Sequence, residues 1–389
     1  MPPSPRGLAK LPPPSEEETT VSTQVTALIE EEIRRHGPVA FGRFMELALY
    51  APGLGYYTAG KEKFGARGDF ITAPETFPLF GRCIAHTAAE IFAQLGDAEI
   101  LEVGAGSGRL AVELLRELAR LDALPRTYYI LDLSPHLRVR QTETLKEHAP
   151  ELCGRVRWLD RLPASFRGLV IGNELLDAMP VERFRMAANG LEQLRVTRRD
   201  GRLTWIGTAA EPALVERIAP LGLAPGYISE VGFAAEAWIR SAADILESGV
   251  LLLIDYGFPR AEFYHPDRAG GTLMCHYRHR AHGDPLILVG LQDITAHIDF
   301  TAIAEAGTET GLDLLGYTSQ AAFLIGNGLD RLVTDADLSD VRAHLALTDQ
   351  IKKLTLPHEM GELYKVMALG RGISKPLSAF LLQDRRSRL

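Results

Sequence analysis

The segment EILEVGAGSGRLAVELL, residues 99–115, decides the fold that we expect. EILEV is short and mostly apolar, as a buried strand is, and RLAVELL has the spacing of an amphipathic helix. Between them Gly104, Gly106 and Gly108 permit a tight turn and let the backbone approach a ligand without a Cβ in the way. The segment therefore predicts a strand, a ligand-binding turn and a helix.

The same alternation of strand and helix continues along the chain. Further strands are predicted at TYYILDL (127–133), RVRWL (155–159), GLVIG (168–172), GVLLLIDYG (249–257) and YKVMALGRG (364–372), and a helix from Pro135 to about His148. This alternation predicts a doubly wound, mostly parallel α/β sheet with helices on both faces. Ligands of such sheets bind outside the carboxyl ends of the strands.

At 389 residues the chain is long for one compact domain, and the interval between the fourth and fifth strands is unusually long. That interval contains a predicted hairpin that turns at Asp200-Gly201. We expect a disordered proline-rich tail (1–20), an N-terminal helical and lid region (21–96), the first part of the core (97–181), an inserted α+β substrate-binding region (182–248), the second part of the core (249–375, with an insertion at 259–298) and a C-terminal tail (376–389).

Composition and charge argue against several classes of protein. Hydrophobic residues make up 46% and charged residues 24%, the balance of a soluble globular chain. The formal net charge of -8 disfavours a nucleic-acid groove, and no apolar run is long enough to span a bilayer. The N-terminus lacks the apolar middle of a signal peptide, and the three cysteines form no CxxC pair. We therefore expect a protein of the reducing cytoplasm, with no nucleic-acid partner and no membrane insertion.

The spacing of the glycines separates the candidate ligands. A dinucleotide fingerprint needs a third glycine where this chain has Arg109, and a phosphate-binding loop needs Gly-Lys-Ser/Thr, which is absent. The pattern E-x-G-x-G-x-G, from Glu102 to Gly108, instead resembles motif I of class I S-adenosylmethionine-dependent methyltransferases. Asp132, after the second strand, can accept hydrogen bonds from both ribose hydroxyls, although NAD would offer the same groups. Asp160, after the third strand, is placed to meet the adenine amino group.

A resemblance to one family covers nearly the whole chain. From about residue 37 to 370 the sequence resembles the MidA family, whose mitochondrial members are complex I assembly factors that methylate protein arginine. The matching segments are GPVAFGRFMELALYAPGLGYY, GDFITAPE, LEVGAGSGRL, LDLSPHL, GNELLDAMPV, GTLMCHYRHR, QDITAHIDF and YKVMALG. Two positions depart from the family, because Asp132 replaces the usual glutamate and His276 stands where an aromatic residue is common.

The resemblance implies a class I methyltransferase fold with a seven-stranded sheet, and S-adenosylmethionine as the cofactor. It implies an arginine in a protein, such as a complex I subunit, as the acceptor. It also implies that GDFITAPE covers the methionine end of the cofactor, although an exposed connector is the alternative for this loop. The residues expected to bind the cofactor are Asp69, Thr72, Pro74, Glu102, Gly104, Gly106, Gly108, Asp132, Leu133, Ser134, Asp160 and Asn173.

The fourth strand ends abruptly in Asn173 and Glu174, with Asp177 expected one helical turn further along the same face. An arginine guanidinium stays protonated at neutral pH and its flat fork matches a carboxylate, so we expect Glu174 to hold the acceptor. Asn173 would orient a terminal nitrogen or the cofactor, and Asp177, Glu230 and Glu236 are further catalytic candidates. Capping of the following helix is the structural alternative for these polar residues.

The segment CHYRHRAH brings Cys275, His276, His279 and His282 close together in sequence, which invites a zinc hypothesis. Methyl transfer needs no metal, however, and only one cysteine joins the histidines. We therefore predict no metal site, and the role of these side chains stays open.

Three alternatives to arginine methylation are left by the sequence. The enzyme could methylate another protein side chain or a small molecule, or the chain could be an assembly chaperone that binds the cofactor without turnover. An acidic group at the end of the fourth strand suits a cationic acceptor and would repel an acidic one. The oligomeric state, including a homodimer, is left open.

Overall fold

The computed structural model describes residues 11–59, 73–334 and 341–389. These residues form two compact units, each built from discontinuous stretches of chain. The sheet unit is drawn from residues 71–176, 237–257 and 300–389, and the hairpin unit from residues 1–70, 177–236 and 258–299. None of the helices in the described ranges has the length and apolar character needed to cross a membrane.

Strands and α-helices within the described residues are numbered in chain order. The strands are β1 (Val39–Ala40), β2 (Glu99–Val103), β3 (Tyr128–Leu131), β4 (Val156–Leu159), β5 (Phe166–Asn173), β6 (Glu182–Ala187), β7 (Gly190–Arg199), β8 (Arg202–Ala209), β9 (Ile228–Val231), β10 (Leu246–Phe258), β11 (Met274–Tyr277), β12 (Arg280–His282), β13 (Asp293–Thr295), β14 (Ile298–Asp299), β15 (Asp313–Ser319) and β16 (Tyr364–Arg371). The helices are α1 (Glu16–His36), α2 (Phe41–Tyr50), α3 (Ala73–Thr76), α4 (Pro78–Leu95), α5 (Arg109–Arg120), α6 (Pro135–His148), α7 (Pro212–Ile218), α8 (Phe233–Ile245), α9 (Arg260–Phe263), α10 (Phe300–Glu309), α11 (Gln320–Gly326), α12 (Leu329–Thr334), α13 (Val341–Thr355) and α14 (Met360–Leu363).

Seven strands of the sheet unit lie side by side in the order β15–β16–β10–β5–β2–β3–β4. The five strands from β10 to β4 in this order are parallel to one another. β16 runs antiparallel to both of its neighbours, β10 and β15. This arrangement confirms the predicted doubly wound, mostly parallel sheet of seven strands. It also means that β16 begins at the edge where β2, β3, β4, β5 and β10 end.

The core of the sheet unit packs one face of the sheet against α4 and α5. Ile100, Ile171 and Leu252, from three neighbouring strands, are each 0% exposed. They belong to one buried cluster with Ile84 of α4 and Leu114 of α5. Burial of a side chain of this size stabilises the fold by about 1.5–3 kcal/mol, so this cluster holds the strand ends in place.

The hairpin unit contains two antiparallel sheets. In the larger one β1, β7, β6 and β9 lie side by side and β8 pairs with β7. The predicted turn is confirmed, because Asp200 and Gly201 connect β7 to β8 with φ values of 50° and 77°. The smaller sheet has the order β12–β11–β13. Its hairpin turns at Arg278 and His279, so CHYRHRAH contains two strands and no helix.

Described residues of both predicted tails contribute to the folded structure. α1 begins at Glu16, inside the predicted tail 1–20, because Ser15 and Glu18 form a capping box that satisfies free backbone N–H groups. The predicted C-terminal tail 376–389 contributes Leu377 and Phe380, which are 2% and 3% exposed, to the core of the sheet unit. The core also begins earlier than residue 97, because α4 packs within it.

Gly168 in β5 provides a test of this sheet. A Cβ at this position would lie 2.0 Å from the backbone oxygen of Glu99, and φ is 141°. Gly168→Ala should therefore lower the free energy of unfolding in urea by about 2–3 kcal/mol or more. Gly154→Ala is the matched control, because its Cβ would meet nothing within 4 Å. Equal stability of the two variants would contradict the close strand approach.

Candidate active site

The glycine turn between β2 and α5 has the conformation that its sequence predicts. Gly104, Gly106 and Gly108 have φ values of 72°, 52° and 86°, which side chains with a Cβ rarely adopt. The turn is fixed by a hydrogen bond of 2.9 Å from the Gly104 N–H to the oxygen of Leu131. The Ser107 Oγ is buried and has no hydrogen-bond partner in the described parts of the chain. A buried polar atom of this kind suits a site that a polar ligand completes.

The carboxylate of Asp132 follows β3 and is held from two sides. Its Oδ1 accepts the N–H of Ser134 at 2.9 Å, and its Oδ2 accepts the Nε2–H of Gln141 at 2.8 Å. The side chain is 7% exposed, while the neighbouring Leu133 is 70% exposed. The Asp132 carboxylate is therefore oriented by a donor on each of its two oxygens.

Arg138 connects the ends of β3 and β4. Its guanidinium donates to the backbone oxygen of Asp132 at 3.0 and 2.8 Å and to that of Leu159 at 2.6 Å. A fourth bond, of 2.7 Å, joins it to the carboxylate of Asp160, whose side chain is 91% exposed. Asp160 therefore lies at the predicted edge, with its carboxylate paired to an arginine.

Glu102 lies beneath the turn and is almost enclosed. It is 3% exposed and accepts a hydrogen bond of 2.8 Å from the hydroxyl of Tyr128. Burial raises the pKa of Glu102 to about 7, against the lowering effect of the Tyr128 hydroxyl. The predicted contact between Glu102 and the cofactor stays a prediction, and the observed role of Glu102 is a polar link between β2 and β3.

Asn173 is the last residue of β5 and Glu174 follows it at the same edge. Glu174 has a φ of 48°, a conformation that costs energy for a residue with a side chain, and its N–H donates to the oxygen of Ile254 at 2.9 Å. The Nδ2 of Asn173 donates to the Glu174 Oε1 at 3.3 Å. The Asn173 Oδ1 is buried without a hydrogen-bond partner among the described residues. Strained backbone and an unsatisfied buried acceptor at one point are typical of a functional site.

A tyrosine outside the predicted site residues contacts Glu174, and a second tyrosine contacts the first. Tyr364, the first residue of β16, donates a hydrogen bond of 2.9 Å to the Glu174 Oε2. Its hydroxyl also bonds to that of Tyr256, the residue opposite it on β10. Burial, together with the nearby Glu174 carboxylate, holds the pKa of Tyr364 well above its ordinary value. Tyr364 therefore stays protonated. Because its single O–H donates to Glu174, its oxygen can only accept in the hydrogen bond with Tyr256.

The sheet unit thus brings most of the predicted site residues to one edge. These residues lie at the carboxyl ends of β2, β3, β4 and β5 or directly after them: the glycine turn, Asp132, Leu133, Ser134, Asp160, Asn173 and Glu174. Pro74 lies in α3 of the same unit. Asp69 and Thr72 lie outside the described residues, so their predicted contacts stay predictions.

Asp177 is not placed as expected. Residues 174–180 form bends and turns, so no helical face carries Glu174 and Asp177 together. A right-handed helix does not include Glu174, because its φ is 48°. The N–H of Leu176 is bonded at 2.9 Å to the buried carboxylate of Asp255 instead of to the backbone. Asp177 belongs to the hairpin unit, where it is 6% exposed and its backbone oxygen accepts the N–H of Ala296 at 3.0 Å.

Glu230 and Glu236 also belong to the hairpin unit. Glu230 is 1% exposed, and its carboxylate accepts the N–H of Thr272 at 2.8 Å. Burial raises the pKa of Glu230, and the Arg183 guanidinium at 3.5 Å opposes this shift. Glu236 forms a two-pronged ion pair with Arg217. These contacts give both carboxylates a structural role, and their catalytic assignment stays a prediction.

No cluster of three or more potential metal ligands occurs in the part of the chain that the structure describes. Cys275 and His282 face each other across the β11–β12 hairpin, and both are buried. The His282 Nδ1 accepts the N–H of Asp284 at 3.3 Å, which stabilises the turn that follows β12.

The strand order, the glycine turn at the end of β2 and the acidic residue at the end of β3 together define a class I S-adenosylmethionine-dependent methyltransferase. A family model described as "Putative S-adenosyl-L-methionine-dependent methyltransferase" matches residues 83–318, and the chain belongs to this family. The resemblance to the MidA family is thereby confirmed.

Similar proteins agree with this assignment. A crystal structure of a Burkholderia thailandensis protein bound to S-adenosyl-homocysteine is 46% identical, with a TM-score of 0.95 over 98% of this chain and 100% of that one. The Drosophila melanogaster "Protein arginine methyltransferase NDUFAF7 homolog, mitochondrial" is 25% identical and is aligned over 94% of this chain and 91% of its own length. The Mus musculus relative, "Protein arginine methyltransferase NDUFAF7, mitochondrial", is 26% identical over 90% of this chain and 86% of its own length. The cofactor is S-adenosylmethionine.

Asp132→Ala should weaken binding of S-adenosyl-homocysteine by about 1.5–3 kcal/mol, as expected for lost hydrogen bonds to a charged group. Isothermal titration calorimetry measures this change directly. Asp244→Ala is the matched control, because Asp244 lies exposed on α8 of the same unit. Unchanged affinity in Asp132→Ala would remove this carboxylate from the cofactor site.

Glu102 should make the stability of the protein depend on pH. Its pKa is about 7 in the folded chain and 4.5 in its ordinary state, so the folded state binds the proton more tightly. Stability from this group is therefore present below about pH 4.5 and is lost as the pH rises to about 7. Glu102→Gln should abolish this loss, which amounts to about 3 kcal/mol for the wild type, in urea unfolding at pH 5 and pH 8. The exposed Glu147→Gln should behave as the wild type, and parallel pH profiles for all three proteins would contradict the assignment.

Proposed function

We propose that this methyltransferase transfers the methyl group to an arginine side chain of a protein. The support from similar proteins is the name "Protein arginine methyltransferase". It is the name of relatives that align with this chain over most of their own length. The support from the structure is the carboxylate of Glu174, held at the end of β5 in the sheet unit. The single observation that carries the proposal is the hydrogen bond from Tyr364 to Glu174.

A guanidinium needs a carboxylate with a defined orientation. It stays charged at neutral pH, and its two parallel N–H groups match the two oxygens of one carboxylate. Glu174 meets this requirement because its backbone is anchored to Ile254 and its Oε2 is bonded to Tyr364. A flexible surface carboxylate would lose side-chain entropy on binding, whereas most of that entropy is already lost for Glu174.

Asn173 supplies a second hydrogen-bond acceptor beside the carboxylate of Glu174. Its Nδ2 is directed to Glu174, and this leaves its buried Oδ1 to accept a hydrogen bond from an N–H donor. A guanidinium has five such donors and no acceptor. Asn173 and Glu174 together therefore favour a methyl-accepting group that is cationic and rich in N–H groups. A hydroxyl or a carboxylate would fit them less well.

The chemical step is an in-line displacement. The cofactor supplies an activated methyl group, and a nitrogen–carbon bond forms as the carbon–sulfur bond breaks. The acceptor nitrogen loses one proton, and the product keeps the positive charge of the guanidinium. Glu174 holds the acceptor, directs one nitrogen and lies within reach of the released proton.

The acceptor protein that we propose is a subunit of respiratory complex I, and the proposed compartment is the cytoplasm. The family resemblance supports the first of these, and the free state of Cys83, Cys153 and Cys275, which suits a reducing compartment, supports the second. Comparison of arginine methylation in complex I subunits from cells with and without this protein, by mass spectrometry, tests the acceptor. Loss of one methylarginine without the protein is expected, and identical methylation in both cells would overturn this assignment.

The nature of the methylated group is tested with purified components. The protein is incubated with S-adenosylmethionine that carries a tritiated methyl group and with individual complex I subunits. After hydrolysis, the label should elute with methylarginine. Label in methyl-lysine or in a base-labile ester would overturn the arginine proposal. Binding of S-adenosyl-homocysteine without any transfer would instead support an assembly chaperone.

Glu174→Gln should bind S-adenosyl-homocysteine as the wild type does and should lose at least about 100-fold in turnover, since the charge that holds the guanidinium is gone. Tritium transfer and calorimetry measure the two properties separately. Glu309→Gln is the matched control, because Glu309 ends α10 and pairs with Arg240 on the surface of the same unit. Retained turnover in Glu174→Gln would remove Glu174 from the reaction.

A further inference from the structure

A buried glutamine on α6 contacts three separate parts of the cofactor edge. Gln141 is 0% exposed. Its Nε2 donates to the backbone oxygen of Gly106 at 3.0 Å and to the Asp132 Oδ2 at 2.8 Å. Its Oε1 accepts the indole N–H of Trp158 at 2.8 Å. One side chain therefore joins the glycine turn, the acidic residue after β3 and the strand β4.

The orientation of the Gln141 amide follows from its partners. Gly106 and Asp132 present only acceptor oxygens to it, and the indole of Trp158 can only donate. If the amide were turned over, an oxygen would face two oxygens and an NH₂ group would face an N–H. The observed orientation is the one that satisfies all three contacts, so the amide is locked.

The backbone of Gln141 also sets the position of the turn. A Cβ on Gly108 would lie 3.1 Å from the Gln141 Cα and 3.3 Å from its Cβ. The third glycine of the motif therefore allows the turn to approach α6 closely enough for the hydrogen bond to Gly106. A glycine at position 108 and the close approach of Gln141 to the turn therefore require each other.

We propose that Gln141 is the positioning residue of the cofactor site, which sets the Gly106 turn and the Asp132 carboxylate at a fixed separation. The turn lies against the methionine portion of the cofactor in enzymes that carry motif I, and the acidic residue meets the ribose. Gln141 acts through these two groups and is enclosed by them. The inference concerns cofactor binding alone and does not depend on which acceptor is methylated.

Loss of the amide would remove two hydrogen bonds that Gln141 donates and one that it accepts. The Gly106 oxygen and the Trp158 N–H would lose their hydrogen bonds, and the Asp132 carboxylate would be released from one of the two donors described above. In the wild type the turn and the Asp132 carboxylate are already ordered on folding. Without the Gln141 amide they would have to become ordered when the cofactor binds, and this cost would weaken binding.

Gln141→Met keeps the length of the side chain and removes every hydrogen bond. We expect the Kd for S-adenosyl-homocysteine, measured by calorimetry, to rise about tenfold or more, the equivalent of about 1.4 kcal/mol. The matched control is Gln320→Met. Gln320 is also 0% exposed and lies in the sheet unit, but its Nε2 donates to the backbone oxygen of Leu354. Both variants should lose thermal stability, and only Gln141→Met should lose affinity. Equal Kd values for the two variants would overturn the proposal.

Gln141→Glu separates positioning from folding by pH. When the introduced carboxyl group is ionised it repels the carboxylate of Asp132, and when it is protonated its O–H can donate to Asp132. The ratio of the variant's Kd to that of the wild type should be about tenfold or more at pH 8 and should fall several-fold at pH 5.5. Charged groups on this side of α6 include Asp132, Glu102 and Arg138, which are common to both proteins, so the ratio reports the substituted position. A ratio that does not change with pH would overturn the proposal.

Discussion

The hydrogen bonding of five parallel strands determines where most of the described site residues lie. Because β2, β3, β4, β5 and β10 run in the same direction, their carboxyl ends meet at one edge. The residues after these ends are the first that are released from the sheet and can turn toward a ligand. The antiparallel β16 adds a second constraint, since it delivers its first residue, Tyr364, to that same edge.

The polar groups at this edge are organised before any ligand arrives. Asp132 is held by Ser134 and Gln141, and Glu174 by Tyr364 and Asn173. Buried carboxylates without such partners would be costly, and their orientation would vary. The network around Asp132 lies where the nucleoside of the cofactor is expected. The network around Glu174 lies where the methyl-accepting group is expected. This order favours methyl transfer, because the reaction depends on alignment of the nucleophile with the methyl group of the cofactor and requires little acid or base chemistry.

Sequence patterns predicted the sheet well because they depend on local properties. Apolar runs gave the strands, α6 was predicted with both of its ends, and the three glycines of the turn all have positive φ. The expected helical placement of Asp177 was wrong because it assumed that a helix follows β5, whereas Glu174 has a φ of 48° and the N–H of Leu176 is bonded to the distant Asp255. No pattern in residues 173–177 reveals a contact with a residue so distant in sequence. Similarly, Gln141 looks like any polar residue of an amphipathic helix.

The sequence by itself determined the class of the protein, the cofactor and the edge at which the cofactor is expected to bind, since glycine spacing and strand-terminal acids are local requirements of that chemistry. Only the tertiary structure decided which side chains support these groups. Tyr364 and Glu174 are far apart in the chain and meet only because β16 is inserted antiparallel beside β10. Gln141 reaches the glycine turn only because α6 packs against it without an intervening Cβ at Gly108. Strand direction and packing distance are properties of the folded chain, and no short stretch of sequence carries them.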